Sequence, residues 1–357
     1  MDNFLLVFES IVEFAKCTKD YQAVHIFFDE QCDKHVLDFV CSCFEGKRMM
    51  KSSFPCPVAS VELAERITFD DEDLVVAIGG IHVQNLAKYY ACMYEINCAF
   101  VPVHEVAEYS FSKYAFVKDK YFCFFECEKP KVVLLCERFF NENDKNNLQK
   151  LIIYKNVVAF EKEFEKDIFG EDRYVPEKLV KCINLYDGSF RNLMRLFGIC
   201  ASELSDQKPY DILGSEYYVL ALAANANIVE TTISIQNVLA KLFECQMKFD
   251  VMKRDIDVNL HLKKFRDYGI SVLDVQNTIL PIFDDAKIEE TKYRTKAYLP
   301  YLRDLLDKAT NYYAICKTSF DQTKIENALA LCSGLFSRKS IIRFMRDLGY
   351  FENLLKS

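Results

Sequence analysis

Residues Asp73–Val103 read DLVVAIGGIHVQNLAKYYACMYEINCAFVPV, and this stretch decides the fold. Leu74 to Ile78 is an unbroken apolar run, the pattern of a strand buried on both faces of a parallel sheet, and it ends at Gly79-Gly80. Beyond the glycines, Val83, Leu86, Ala87, Tyr90 and Ala91 recur at helical spacing, and Ala99 to Val103 is a second apolar run. Strand, glycine turn, helix and strand make a right-handed parallel crossover. The turn then lies at the carboxyl end of the first strand, where open α/β sheets bind ligands. Its glycines let the backbone approach closely, and the N–H groups opening the helix favour an anion, so the turn is a candidate phosphate cradle. A Gly-Gly strand exit also occurs for purely structural reasons, and no complete GxGxxG is present.

Outward from this unit the pattern alternates. Met1 to Lys19 reads as an amphipathic helix with Phe4, Leu5, Phe8, Ile11, Val12 and Phe14 on one face. A strand is expected at Ala23 to Phe28, ending at Asp29-Glu30. An acid at that place can accept hydrogen bonds from a nucleotide ribose or cap the next helix. Cys32 to Glu45 is expected as a helix, Pro55 to Ser60 as a short strand, and Ser60 as the cap of a helix over Val61 to Ile67. Downstream come a hairpin over Tyr114 to Glu126 and a strand from Val132 to Cys136. Alternating strands and helices mean a parallel sheet. From Asn141 onward the spacing is helical, so two domains are expected: an α/β dinucleotide-binding type over 1–140 and an all-helical one over 141–357.

The chain has 357 residues, 51% hydrophobic, enough to bury one or two substantial cores. A net charge of −8 argues against a broad nucleic-acid or anionic-membrane surface, though not against a local phosphate pocket. No apolar run is long enough to span a bilayer, and the N-terminus lacks a signal-peptide pattern, so a cytoplasmic chain is expected. The fifteen cysteines are scattered and set mostly in apolar runs. Cys41 with Cys43, or Cys123 with Cys127, could be read as metal pairs, but small buried hydrophobes in a reducing compartment is the favoured reading. The oligomeric state is left open, a homo-oligomer being one option.

The run DLVVAIGGIHVQNLAKY followed by FVPV resembles the cofactor signature of the superfamily of glycerol-1-phosphate dehydrogenase, iron-containing alcohol dehydrogenase and 3-dehydroquinate synthase. That signature has three glycines, an Asp, a Lys and a closing Val-Pro-Thr. Here Ile81 replaces the third glycine, Asn85 the Asp and Val103 the Thr, while Lys88 is kept. Ile81 is expected to crowd a pyrophosphate, and a β-branched residue does not easily take φ above zero. Glu108 stands at the place of the family's substrate-facing Asp, and Ser112 follows in the same loop. Further on, Lys208-Pro209 and Gly214-Ser215-Glu216 match a family segment that ends in a metal-ligating His, which here is Tyr217.

The resemblance implies an NAD- or NADP-linked oxidoreductase acting on a small phosphorylated polyol or alcohol. Asp29, Gly79, Gly80, His82, Asn85, Lys88 and Ser112 would then surround the dinucleotide. It also implies that the family's metal ligands are replaced, by Asn146, Tyr217 and Glu230, so no metal is expected. Only one of the five histidines, His261, lies in the helical half, too few for a two-histidine site built there. Without a Lewis acid, the remaining candidates for proton transfer are His82 and, in the loop after Val103, His104 with Glu105 and Glu108. A second reading is a catalytically silent relative that keeps the fold as a nucleotide-binding or assembly module.

Overall fold

The structure is a computed structural model. It describes residues 6–8, 10–55, 58–104, 111–119 and 122–142, then 215–226, 297–304 and runs of one to three residues elsewhere. The chain divides into two compact units, one of residues 1–149 with 176–209 and the other of 150–175 with 210–357.

The first unit is built on a six-stranded parallel sheet in the order β1-β8-β5-β4-β2-β3. Its strands are β1 (Leu6–Phe8), β2 (Ala23–Asp29), β3 (Arg48–Phe54), β4 (Leu74–Gly79), β5 (Asn97–Pro102) and β8 (Val132–Leu134). All the pairings are parallel. β4 is buried along its whole length and β5 nearly so, as continuous apolar runs demand when both faces are covered. Helices α1 (Ile11–Cys17), α2 (Lys34–Cys41), α3 (Val61–Glu65) and α4 (Ile81–Met93) supply the crossovers. A two-stranded antiparallel hairpin, β6 (Tyr114–Lys118) with β7 (Phe122–Glu126), stands apart from the sheet.

Two expectations are corrected. The N-terminal stretch is not one helix: Leu6–Phe8 pairs with Val132–Leu134 and α1 starts only at Ile11. An apolar run of a few residues fits either period, and tertiary pairing along β8 selects the strand. The third strand is Arg48–Phe54, ahead of the expected Pro55–Ser60. Its alternating, partly polar pattern belongs to a sheet edge, and Pro55 can supply no ladder N–H.

Other local signals behave as their chemistry requires. Ser60 Oγ accepts from the Leu63 N–H and caps α3. Asp33 accepts from the His35 N–H and caps α2. In the second unit, α5 (Ser215–Ala224) is buried almost all round, from Glu216 to Leu222. The described cysteines are free thiols, with Cys41, Cys98 and Cys127 buried and Cys17 and Cys92 exposed. Among the described residues, no helix is long and apolar enough to cross a membrane.

Candidate functional site at the carboxyl edge of the sheet

Strand order locates the site before any side chain is considered. From β2 the chain runs outward to β3, then returns across to β4 and continues the other way to β5. β2 and β4 are neighbours whose onward connections diverge, which makes their carboxyl ends the switch-point crevice of an open parallel sheet. Asp29 closes β2 there, and Gly79-Gly80 closes β4.

The glycine turn is held from three sides. Gly79 has φ +150, and a Cβ on it would lie 2.3 Å from Asp29 Oδ2, so only glycine fits. Its carbonyl accepts from Gln84 Nε2 at 2.9 Å and from the Val103 N–H at 3.2 Å. The Gly80 N–H, at the cap of α4, donates to Asp29 Oδ2 at 2.9 Å. A carboxylate thus sits against the positive end of α4, where an anion is favoured. The other oxygen, Oδ1, is buried with no hydrogen-bond partner in the structure. A buried acceptor oxygen of this kind suits a hydroxyl donor from a ligand.

His104, just past β5, has φ +67, a strained conformation for a side chain of this size. Its Nε2 lies 3.3 Å from the Gln31 carbonyl, beyond the end of β2. A carbonyl only accepts, so Nε2 carries a proton. Asp29, Gly79, Gly80 and His104 therefore meet along one edge, with half-buried His82 in the first turn of α4.

The rest of the expected set does different work. Lys88 is fully buried, and its Nζ donates to the Ser112 and Tyr114 carbonyls at 2.8 and 2.9 Å, 5.8 Å from the Phe100 ring centroid. Burial pushes its amine down to about 8. Asn85 donates to the Ile81 carbonyl and accepts from the Phe116 N–H at 2.9 Å. Ser112 Oγ accepts from the Tyr114 N–H. Lys88 and Asn85 tie α4 to the β6–β7 hairpin and the residues just before it, which explains why a Lys and an amide stand on this helix. Ile81 opens α4 with its side chain buried and is not among the residues of positive φ, so the strain expected of it does not arise.

Tyr217, at the expected ligand position, is buried within the second unit. Its hydroxyl donates to Glu161 and accepts from Gln236 Nε2 at 2.6 Å; Gln236 also donates to Glu161. Burial and the Glu161 carboxylate push the phenol well above its ordinary value. Among the described residues, no three His, Cys, Asp or Glu side chains are grouped to hold a metal ion. Glu105, Glu108, Asn146 and Glu230 lie outside the described residues.

Gln31 and Gln84 were not singled out by sequence reasoning. The only signal for Gln84 was a polar residue on the inward face of α4, five positions after Gly79.

No protein-family profile matches this chain. No curated protein matches it in sequence. Solved structures do. A sulfoacetaldehyde reductase from Bifidobacterium kashiwanohense in complex with NAD+ superposes with a TM-score of 0.56 at 9% identity, covering 99% of this chain and 97% of that one. The halo-thermophilic alcohol dehydrogenase of an archaeon from a Red Sea brine pool gives 0.54 at 11% identity, covering 98% and 96%. An iron-containing alcohol dehydrogenase from Thermotoga maritima gives 0.51 at 12%, covering 97% of each. The fold is that of the iron-containing alcohol dehydrogenases. At these identities the likeness is one of fold, and function has to be argued from the site.

Proposed function

We propose that this chain is an NAD(P)-linked oxidoreductase of the alcohol dehydrogenase fold, acting on a small alcohol or polyol phosphate without a catalytic metal. The gathering of Asp29, the Gly79-Gly80 turn and His104 at the switch point carries this reading. A dinucleotide fits with Asp29 Oδ1 accepting a ribose hydroxyl and the first turn of α4 facing the phosphates. When bound, its nicotinamide supplies the hydride acceptor or donor. His104 is our candidate to take or return the carbinol proton. Glu108, by its place in the sequence, is a further candidate facing the substrate. Tyr217 does not suit a divalent cation: ligation needs a phenolate, and its hydroxyl is committed to Glu161 and Gln236.

The second reading, a silent relative kept for binding or assembly, is favoured by one contact. Asp29 already takes the Gly80 N–H, so a pyrophosphate at that N–H meets a carboxylate. Thermal unfolding with NAD(H), NADP(H) or zinc separates the two. A ligand of the folded state at 100 times its dissociation constant adds roughly 2.7 kcal/mol. Stabilisation by a dinucleotide, followed by reduction of dihydroxyacetone phosphate, supports the oxidoreductase. No shift with either dinucleotide leaves the silent module.

A further inference from the structure

A second cluster lies away from the glycine turn, against β2, the edge strand β3 and the loop before β4. His25 on β2 is 1% exposed, and both its ring nitrogens are engaged. Nδ1 lies 3.0 Å from Glu72 Oε1, and Nε2 lies 2.8 Å from Ser52 Oγ on β3. Glu72 also accepts from the Tyr90 hydroxyl, and from the Asp70 N–H at 2.7 Å. Burial pushes the Glu72 carboxyl up, but the bonds from Tyr90, His25 and the Asp70 backbone outweigh it and leave the group below its ordinary value. Glu72 is therefore a carboxylate. A carboxylate only accepts, so His25 Nδ1 carries a proton, and in the neutral ring Nε2 accepts from the Ser52 hydroxyl. That is the tautomer and direction a nucleophilic serine needs.

We infer that Ser52, His25 and Glu72 form a serine nucleophile, general base and orienting carboxylate for acyl transfer from small activated esters. Ser52 is half-buried, while the ring behind it is buried. Strand parity supplies a donor for the oxyanion. The Arg48 N–H donates to the Gln22 carbonyl and the Phe54 carbonyl accepts from the Glu30 N–H, so even-numbered residues of β3 face β2. The Ser53 N–H then points to the open edge, and no strand lies beyond β3 among the described residues. An N–H on the residue after the nucleophile is the usual place for such a donor.

The step balances within the cluster and water. Ser52 Oγ bonds to the acyl carbon as its proton passes to His25 Nε2, and the ester C–O bond breaks with that proton leaving on the alcohol. Water then attacks the acyl carbon, giving its proton to His25. The Ser52 Oγ–C bond breaks, and the serine recovers the proton as the carboxylic acid departs.

The test is labelling of the full chain with a fluorophosphonate probe, with the modified peptide located by mass spectrometry. Expected is a single phosphonylated residue, Ser52, with labelling abolished in Ser52→Ala and slowed at least tenfold in Glu72→Gln. The half-buried Ser52→Ala is expected to melt with the wild type, and wild-type labelling needs no variant at all. Wild-type protein that stays unlabelled at Ser52 while its circular dichroism is native overturns the proposal, as does labelling at Ser52 that Glu72→Gln leaves unchanged. Neither outcome bears on dinucleotide binding at the glycine turn.

Discussion

Replacing Lys88 by Met separates a structural amine from a cofactor-binding one. The amine is buried, donates to two carbonyls of the hairpin and is pushed from 10.5 down to about 8 by loss of solvent. Because the folded value lies below the unfolded one, the unfolded chain binds more protons between the two. Stability from this group therefore rises with pH across that window, by about 3 kcal/mol in full. Lys88→Met has no such titration. Buried Cys98 and Cys127, pushed up to about 12, act in the opposite sense at high pH, but they are present in both proteins and cancel to first order in the difference. Denaturant unfolding of both proteins would be followed by far-ultraviolet circular dichroism, since the chain has no Trp. The stability of wild type relative to Lys88→Met should climb by about 3 kcal/mol from roughly pH 7.5 to roughly pH 10.5. A flat difference curve would refute the burial argument and return Lys88 to the ligand.

Gly79→Ala should cost about 2 kcal/mol or more, because its Cβ meets Asp29 Oδ2 and φ +150 is closed to L side chains; chemical denaturation reads this directly. If Asp29 Oδ1 accepts a ribose hydroxyl, NADH should bind more tightly than NADPH, whose phosphate would face a carboxylate. Asp29→Asn should narrow that preference in calorimetric titrations. Tyr217→Phe should destabilise the chain by about 1–3 kcal/mol by taking a donor from buried Glu161, while zinc should shift the melting of neither protein. Glu72 is held below its ordinary value, so its contribution is present above about pH 4.5 and is lost as pH falls through the folded value. Glu72→Gln should accordingly flatten the acid limb of the stability profile.

The central crossover was legible from residues alone. Leu74 to Gly79, α4 and β5 form as their periods require, because an unbroken apolar run closed by glycines has few other places to go. The same holds for the Ser60 cap, while the hairpin followed from the family resemblance. Sequence spacing could not say that Asn85 and Lys88 turn toward the hairpin, since a helix presents several faces and only packing selects what each one meets. Nor could it pair Leu6–Phe8 with β8, or bring Ser52, His25 and Glu72 together. Those residues are 20 to 47 positions apart. Such contacts depend on which strands become neighbours, and strand order belongs to the assembled sheet, where long-range burial outweighs local preference.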